Sequence, residues 1–255
     1  MNTKRRNVAA CTLVTLILSL FLSACGPEQL FGPTPTPTPT ITSTPTPTLT
    51  PTWTPDPTMT VKPTATVPAA DQTYAALLEQ VKLADPKFDF TALRMSYTET
   101  TAYDPYNFGL GETRKAMLAV LNDKDYGLTI KLAEQILKDT YILPDAHLAS
   151  VYAYQGLGQT QESDFHRYVL DGLLHSILSS GDGKSEKSAY IVVLIQEEYA
   201  ILGTLGIKDY TQSFKEAGGH SYDIFEGVDG KTNAPVTLYF NIDKLYQSLE
   251  NSLKP

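Results

Sequence analysis

Cysteine is almost absent. The 255 residues include two, Cys11 and Cys25, and none beyond residue 25. The chain beyond that point can form no disulfide, no thiolate metal site and no cysteine nucleophile, so its stability must come from packing. Long apolar runs are scarce too. The longest, Val8 to Leu22, spans about fifteen residues, short of the ~20 that a membrane-crossing helix needs. Basic residues are few, with twenty Lys and Arg against twenty-eight Asp and Glu. Four of the former and two of the latter precede residue 70, which leaves the remainder about ten charges negative. Such a surface repels nucleic acid and anionic glycans, so no nucleic-acid partner is expected. The one tryptophan, Trp53, falls in a Thr/Pro stretch, where a solitary exposed aromatic is ordinary.

The N-terminus carries the most information. Lys4-Arg5-Arg6 is followed by the apolar run and then by Leu22-Ser23-Ala24-Cys25. A basic start, a short apolar stretch and small residues before a cut make a secretory signal. The last four residues resemble the lipobox of bacterial lipoproteins. That resemblance implies cleavage after residue 24, lipid such as palmitate on Cys25, and an extracytoplasmic protein whose membrane partner is reached through the lipid alone. An ordinary cleaved signal is the alternative. Residue 26 is Gly rather than Asp, which within that family implies outward sorting where an outer membrane exists.

From Pro33 to Pro68 the chain is almost entirely Thr and Pro. Proline fixes φ and removes backbone donors, so an extended polyproline-like rod is expected in place of a fold. Thirty-six residues at ~3.1 Å each reach roughly 110 Å. The composition suits a stalk, either O-glycosylated or bare. The expected organisation is a signal over 1–24, a lipidated Cys25 and stalk over 25–69, and one domain over 70–255, large enough for one substantial core.

Within that domain the first half has helical periodicity. Tyr74, Leu77, Leu78 and Val81 share a face before Asp85-Pro86, and Phe88 to Tyr97 suits a short second helix. Arg114, Met117, Leu118 and Leu121 resume the pattern. Leu128, Leu132, Ile136 and Leu137 come next, with Asp125 as cap, and Pro144 opens a further helix. An apolar helix from Phe165 to Leu178 closes the block. Asp125-Tyr126, Ala133 and Pro144 resemble one degenerate tetratricopeptide unit, implying helical hairpins rather than a repeat array. The second half changes period. Tyr190 to Ile195 suits a strand buried on both faces. Gln196 to Leu205 suits a helix ended at Gly206. Tyr222–Phe225 and Pro235–Ile242 suit strands, with Asp229-Gly230 as a tight turn. A helix from Asp243 to Leu253 ends the chain. Helices followed by a small antiparallel sheet predict an α+β fold.

The succession Ser179-Ser180-Gly181-Asp182-Gly183-Lys184-Ser185, Ala189-Tyr190-Ile191-Val192-Val193, Glu197-Glu198-Tyr199, Tyr222-Asp223-Ile224-Phe225 and Leu238-Tyr239-Phe240-Asn241-Ile242 is similar to an exported bacterial family catalogued as domain of unknown function 4919. The resemblance covers most of residues 75–250 and implies no reaction.

Candidate chemistry is sparse. Gly183-Lys184-Ser185 lacks the earlier glycine of a phosphate loop, since Leu178 stands there. Asp182 sits between two glycines, which suits a turn after a helix stop and supplies only one of the six or more oxygens that Ca²⁺ takes. Glu197 and Glu198 are the best acid pair, but adjacent residues point in different directions, and a solvated, dipole-favouring first turn is expected of them. His147, His166, His175 and His220 lack metal-ligand spacing. His166 shares the apolar face of Val169, Leu170 and Leu173, which suits a satisfied core histidine or, less simply, a base. No hydrolase elbow is present, and no cofactor or metal is expected. Two functions are consistent with this. One is a displayed binding or scaffold domain for a peptide or another envelope protein. The alternative is an envelope hydrolase in which His166, Asp182, Glu197 and Glu198 meet in one cleft.

Overall fold

The computed structural model describes residues 67–253; the expected signal, Cys25 and most of the expected stalk lie outside the described residues. The helical half comprises α1 (Ala69–Val81), α2 (Phe90–Tyr97), α3 (Gly111–Asn122), α4 (Tyr126–Asp139), α5 (Pro144–Gly156) and α6 (Thr160–Leu178). After it come β1 (Tyr190–Ile191), α7 (Ile195–Leu205), β2 (Ile207–Ala217), β3 (His220–Asp229), β4 (Pro235–Asn241) and α8 (Asp243–Ser252). This is the α+β succession expected.

Local chemistry sets the boundaries. Asp89 caps α2 by accepting the Ala92 N–H at 2.9 Å, and Asp125 caps α4 by accepting that of Leu128 at 3.1 Å. Each satisfies an amide that the helix itself leaves unpaired. Pro144 opens α5, where its missing donor costs nothing. Gly206 ends α7 in the left-handed conformation, at φ 72°. Helices α3 to α6 pack in chain order, as helical hairpins do. A Cβ on Gly172 in α6 would fall 2.1 Å from the Phe90 ring, so only glycine lets α2 approach this closely.

The sheet runs in the order β1-β4-β3-β2. It is antiparallel except for β1, which pairs parallel to β4 through Tyr190↔Phe240 and Ile191↔Asn241. The expected strand from Tyr190 to Ile195 is therefore cut to two residues. Val192, Val193 and Leu194 are fully buried as expected, but Ile195 already begins α7. The reason is local: the Val193 N–H donates to Glu197 Oε2 at 2.8 Å instead of to a neighbouring strand. Strand β2 lay outside the expected set altogether. It joins β3 through Gly218-Gly219, at φ 63° and 84°, the paired left-handed residues of a tight hairpin. Asp229-Gly230 instead starts a longer loop, in which Asp229 Oδ1 accepts the N–H groups of Lys231 and Thr232.

Two apolar clusters fill the interior. One lies in the helical half around Leu93, Tyr97, Met117, Ile136, Leu143 and Leu173. The other joins α7, α8 and the sheet around Ile201, Phe225, Leu238, Phe240 and Leu245. The segment 192–194 stitches them together, since Val192 belongs to the second and Val193 and Leu194 to the first. Among the described residues, no helix is long and apolar enough to cross a membrane.

Candidate functional site

The first turn of α7 is where the polar groups converge, and it is not solvated. Glu197 and Glu198 are both fully buried. The apolar segment 192–194 delivers the helix start into the seam between the two clusters, so Glu197 and Glu198 are shut off from water while Ile195 and Gln196 stay partly exposed. Glu197 points towards α2. Its Oε1 accepts Arg94 Nε at 2.8 Å and its Oε2 accepts Arg94 Nη2 at 2.7 Å. This is the two-pronged geometry in which a guanidinium matches a carboxylate. Arg94 also donates to Ser176 Oγ on α6 and to the Ile191 carbonyl on β1, each at 2.9 Å. Tyr103 completes the cage by donating to the Val193 carbonyl at 2.9 Å. Burial, then the neighbouring Glu197, pushes the Tyr103 hydroxyl upward, so it acts as a donor throughout the ordinary pH range. An isolated charge at this depth would be strongly disfavoured; these two coexist because every prong is answered.

Glu198 points the other way, towards Asp223 on β3. Neither of its oxygens has a donor within reach. Burial first, then the adjacent Asp223, pushes its carboxyl up to about 9. At neutral pH it therefore carries a proton and gives it to Asp223 in a hydrogen bond. Asp223 also accepts Gln212 Nε2 at 2.8 Å. Burial raises the Asp223 carboxyl, while these two donors oppose the rise. The result is one proton held between two carboxyl groups, one on the fully buried Glu198 and one on the partly exposed Asp223.

Asp182 is exposed and serves its own loop. Its Oδ1 accepts the Lys184 N–H at 3.0 Å and the Ser188 hydroxyl at 2.6 Å. The Ser188 bond is the main cause of its lowered pKa. A Cβ on Gly181 would meet the Ser188 carbonyl at 2.2 Å, and Gly183 sits at φ 68°, so the two glycines let the loop fold back on itself. The turn reading of Asp182 fits these contacts.

His166 lies in the helical half with a partner of its own. Its Nδ1 is 3.0 Å from Nδ1 of the fully buried His147, whose Nε2 is 2.7 Å from the Tyr141 carbonyl. Burial lowers both rings, His147 to about 3 and His166 to about 4, so both are neutral at pH 7. That fixes the tautomers. A carbonyl only accepts, so His147 holds its proton on Nε2; its bare Nδ1 must accept, so His166 donates from Nδ1. His166 Nε2 is left as a lone pair. His166 lines a groove of about 710 Å³ with Tyr154, Phe165 and Tyr168. The Tyr154 ring stacks on it at 5.5 Å and 21°.

The chain matches a family profile, described as a domain of unknown function (DUF4919), over residues 61–251. The chain belongs to this family. No curated protein and no solved structure matches it.

Membership in DUF4919 supplies an address in sequence space and no residue roles, so the roles come from the geometry. None of His166, Asp182 and the two glutamates hydrogen-bonds another: each is answered by a separate partner, namely His147, Ser188, Arg94 and Asp223. Among the described residues, no cluster of three His, Cys, Asp or Glu could hold a metal. Sequence reasoning missed Arg94 and the pairing roles of Asp223 and His147. Arg94 had a readable signal. It shares a helical face with Phe90, Leu93 and Tyr97, all buried, and an arginine on such a face must find an acid inside. Asp223 sits in an apolar strand between Tyr222 and Phe225 and gave a weaker version of the same sign.

Proposed function

We propose that this chain is a binding domain of the cell envelope, tethered through lipid on Cys25 and carried by the Pro33–Pro68 stalk. The observation that carries this reading is the contrast between the polar interior and the helical surface. Every group a hydrolase would have to pool is engaged separately, and of the one acid pair that shares a proton, Glu198 is fully buried and Asp223 is already held by Gln212. The groove at His166 is open, walled by three aromatic side chains and edged by polar ones. Binding sites are concave surfaces of this kind, apolar in the main with a few placed polar groups. The tether suits the same role, since a displayed domain needs reach.

The test uses the full chain in lipid vesicles, offered envelope extract from its host and then washed and cross-linked. The expected result is a saturable partner whose cross-links map to α5 and α6 and are lost in Phe165→Glu. Retention that survives Phe165→Glu but is lost in Asp182→Asn or Glu198→Gln would overturn the reading. So would turnover of an envelope substrate abolished by the same two changes.

A further inference from the structure

The groove at His166 has a chemical bias that narrows what it can hold. Its floor is fixed. The Tyr168 hydroxyl is committed to the Asp85 carbonyl at 2.6 Å, and its ring packs edge-on against Phe90 at 5.3 Å. Tyr168 therefore offers a ligand its ring and an oxygen that can only accept. Phe165 lies beside His166 and Tyr168, with ring centroids 5.7 and 6.4 Å away. The polar atoms among these walls are His166 Nε2 and the hydroxyls of Tyr154 and Tyr168. The chain of bonds that starts at the Tyr141 carbonyl leaves the His166 nitrogen unable to donate, so a ligand there must bring the N–H or O–H.

The rim decides between donors. Glu162 and Asp164 line the groove, and both are exposed. Glu134 and Glu162 lie close enough to the Tyr154 hydroxyl to disfavour its ionisation, and Asp85 does the same at Tyr168. The groove's own lining has one base, Lys82, which is already paired with Glu79. Two lining carboxylates, with Glu134 and Asp85 near the wall tyrosines, face one occupied ammonium on a domain of net negative charge. A neutral ligand would leave that field unused; an anion would be repelled. Aromatic faces attract cations through their ring quadrupole. A guanidinium fits better than an ammonium, because its flat, weakly hydrated face can stack while its edge offers several N–H groups at once. The neutral His166 adds no opposing charge.

We propose that the groove formed by Tyr154, Phe165, His166 and Tyr168 holds an arginine side chain of a peptide partner, stacked on the aromatic walls, donating to His166 Nε2 and neutralised by Glu162 and Asp164. The proposal rests on the reading of the chain as a binding domain and specifies the partner's chemistry.

The test titrates the full chain in detergent with N-acetyl-Gly-Arg-Gly-amide and with the same peptide carrying citrulline, which keeps the shape and loses the charge. Binding is followed through the imidazole resonances of His147 and His166 by NMR. The arginine peptide should move the His166 resonances and bind about fivefold or more tighter than the citrulline peptide, the scale of a cation–π contact with a paired carboxylate. Glu162→Gln changes an exposed residue in the first turn of α6, and it should shrink that ratio while lowering the melting temperature only slightly, by the small loss of a charge at a helix N-terminus. Equal binding of the two peptides, or shifts confined to other sites, would overturn the arginine assignment. A neutral chito-oligosaccharide that moves His166 when neither peptide does would overturn the cation and leave the binding-domain reading standing. Cross-links from envelope extract that avoid α5 and α6 would remove that reading as well.

Discussion

Replacing Glu198 with glutamine tests the proton-sharing acid pair most directly, because the effect should change sign with pH. In the fold this carboxyl keeps its proton up to about pH 9. In the unfolded chain it loses the proton near its ordinary value of 4.5. The folded-state pKa of an acid is raised, so the unfolded state is favoured increasingly as pH rises from about 4.5 to 9. The native state loses about 1.4 kcal/mol per pH unit across that window, or about 3 kcal/mol at pH 7. Glutamine has no proton to keep, so the variant escapes this loss. Its amide can still donate to Asp223, but the rest of the amide is left without partners, at a cost of about 1–3 kcal/mol. The expected outcome is a variant slightly less stable than wild type at pH 5, about 1–2 kcal/mol more stable at pH 7 and about 2–4 kcal/mol more stable at pH 8. Urea denaturation of both proteins over pH 5 to 8.5 reads it directly. A stability difference that does not change with pH would refute the reasoning. So would a glutamine variant that is less stable at pH 8, since that would require an ionised Glu198 held by a positive partner.

Arg94→Met should cost about 3–5 kcal/mol, because it strands the Glu197 charge in the interior; a loss under about 1 kcal/mol in denaturant melts would contradict the buried pair. The two lowered histidines act in the opposite pH direction to Glu198. His147 stays neutral in the fold down to about 3 and His166 to about 4, while both take up protons near 6.5 once unfolded. The stability they permit is complete above about pH 6.5 and is lost as pH falls below it, by about 2 kcal/mol at pH 5 from His147 and less from the more exposed His166. Imidazole resonances titrating near 6.5 in the folded protein would refute this. Taken with Glu198, the stability maximum should fall near pH 6.5. Cys25→Ala should move the protein from the membrane to the soluble fraction, and continued detergent dependence would sink the lipid assignment.

The helical half was legible because its signals are local. Asp125 and Pro144 state their roles through backbone chemistry alone, and α7 ends at Gly206 as expected. Strand β2 was illegible for the opposite reason. Its segment, Lys208 to Glu216, is exposed along its whole length, so no buried face imposed an alternation to read, and its register shifts between Lys208 and Thr211. Tyr190–Ile195 was half legible: the apolar run correctly marked burial, but burial does not distinguish a ladder from an extended link whose amide is taken by a side chain. The site was the least legible part. Glu197 and Glu198 read as a solvated helix start because the signal for their burial lies a hundred residues away in Arg94 and downstream in Asp223. Their opposite directions were readable from helical geometry; what each would meet was not.

Arg94 also sets a schedule. Its partners Ser176, Ile191 and Glu197 lie 82, 97 and 103 residues further along the chain. A polypeptide made from its N-terminus presents α2 long before any of them. Until residue 197 arrives, closing the helical core would trap a cation without its counter-charge. Among the partners of Arg94, the one that carries the opposite charge is the last to be made, so the helical core gains its buried ion pair only once α7 is in hand.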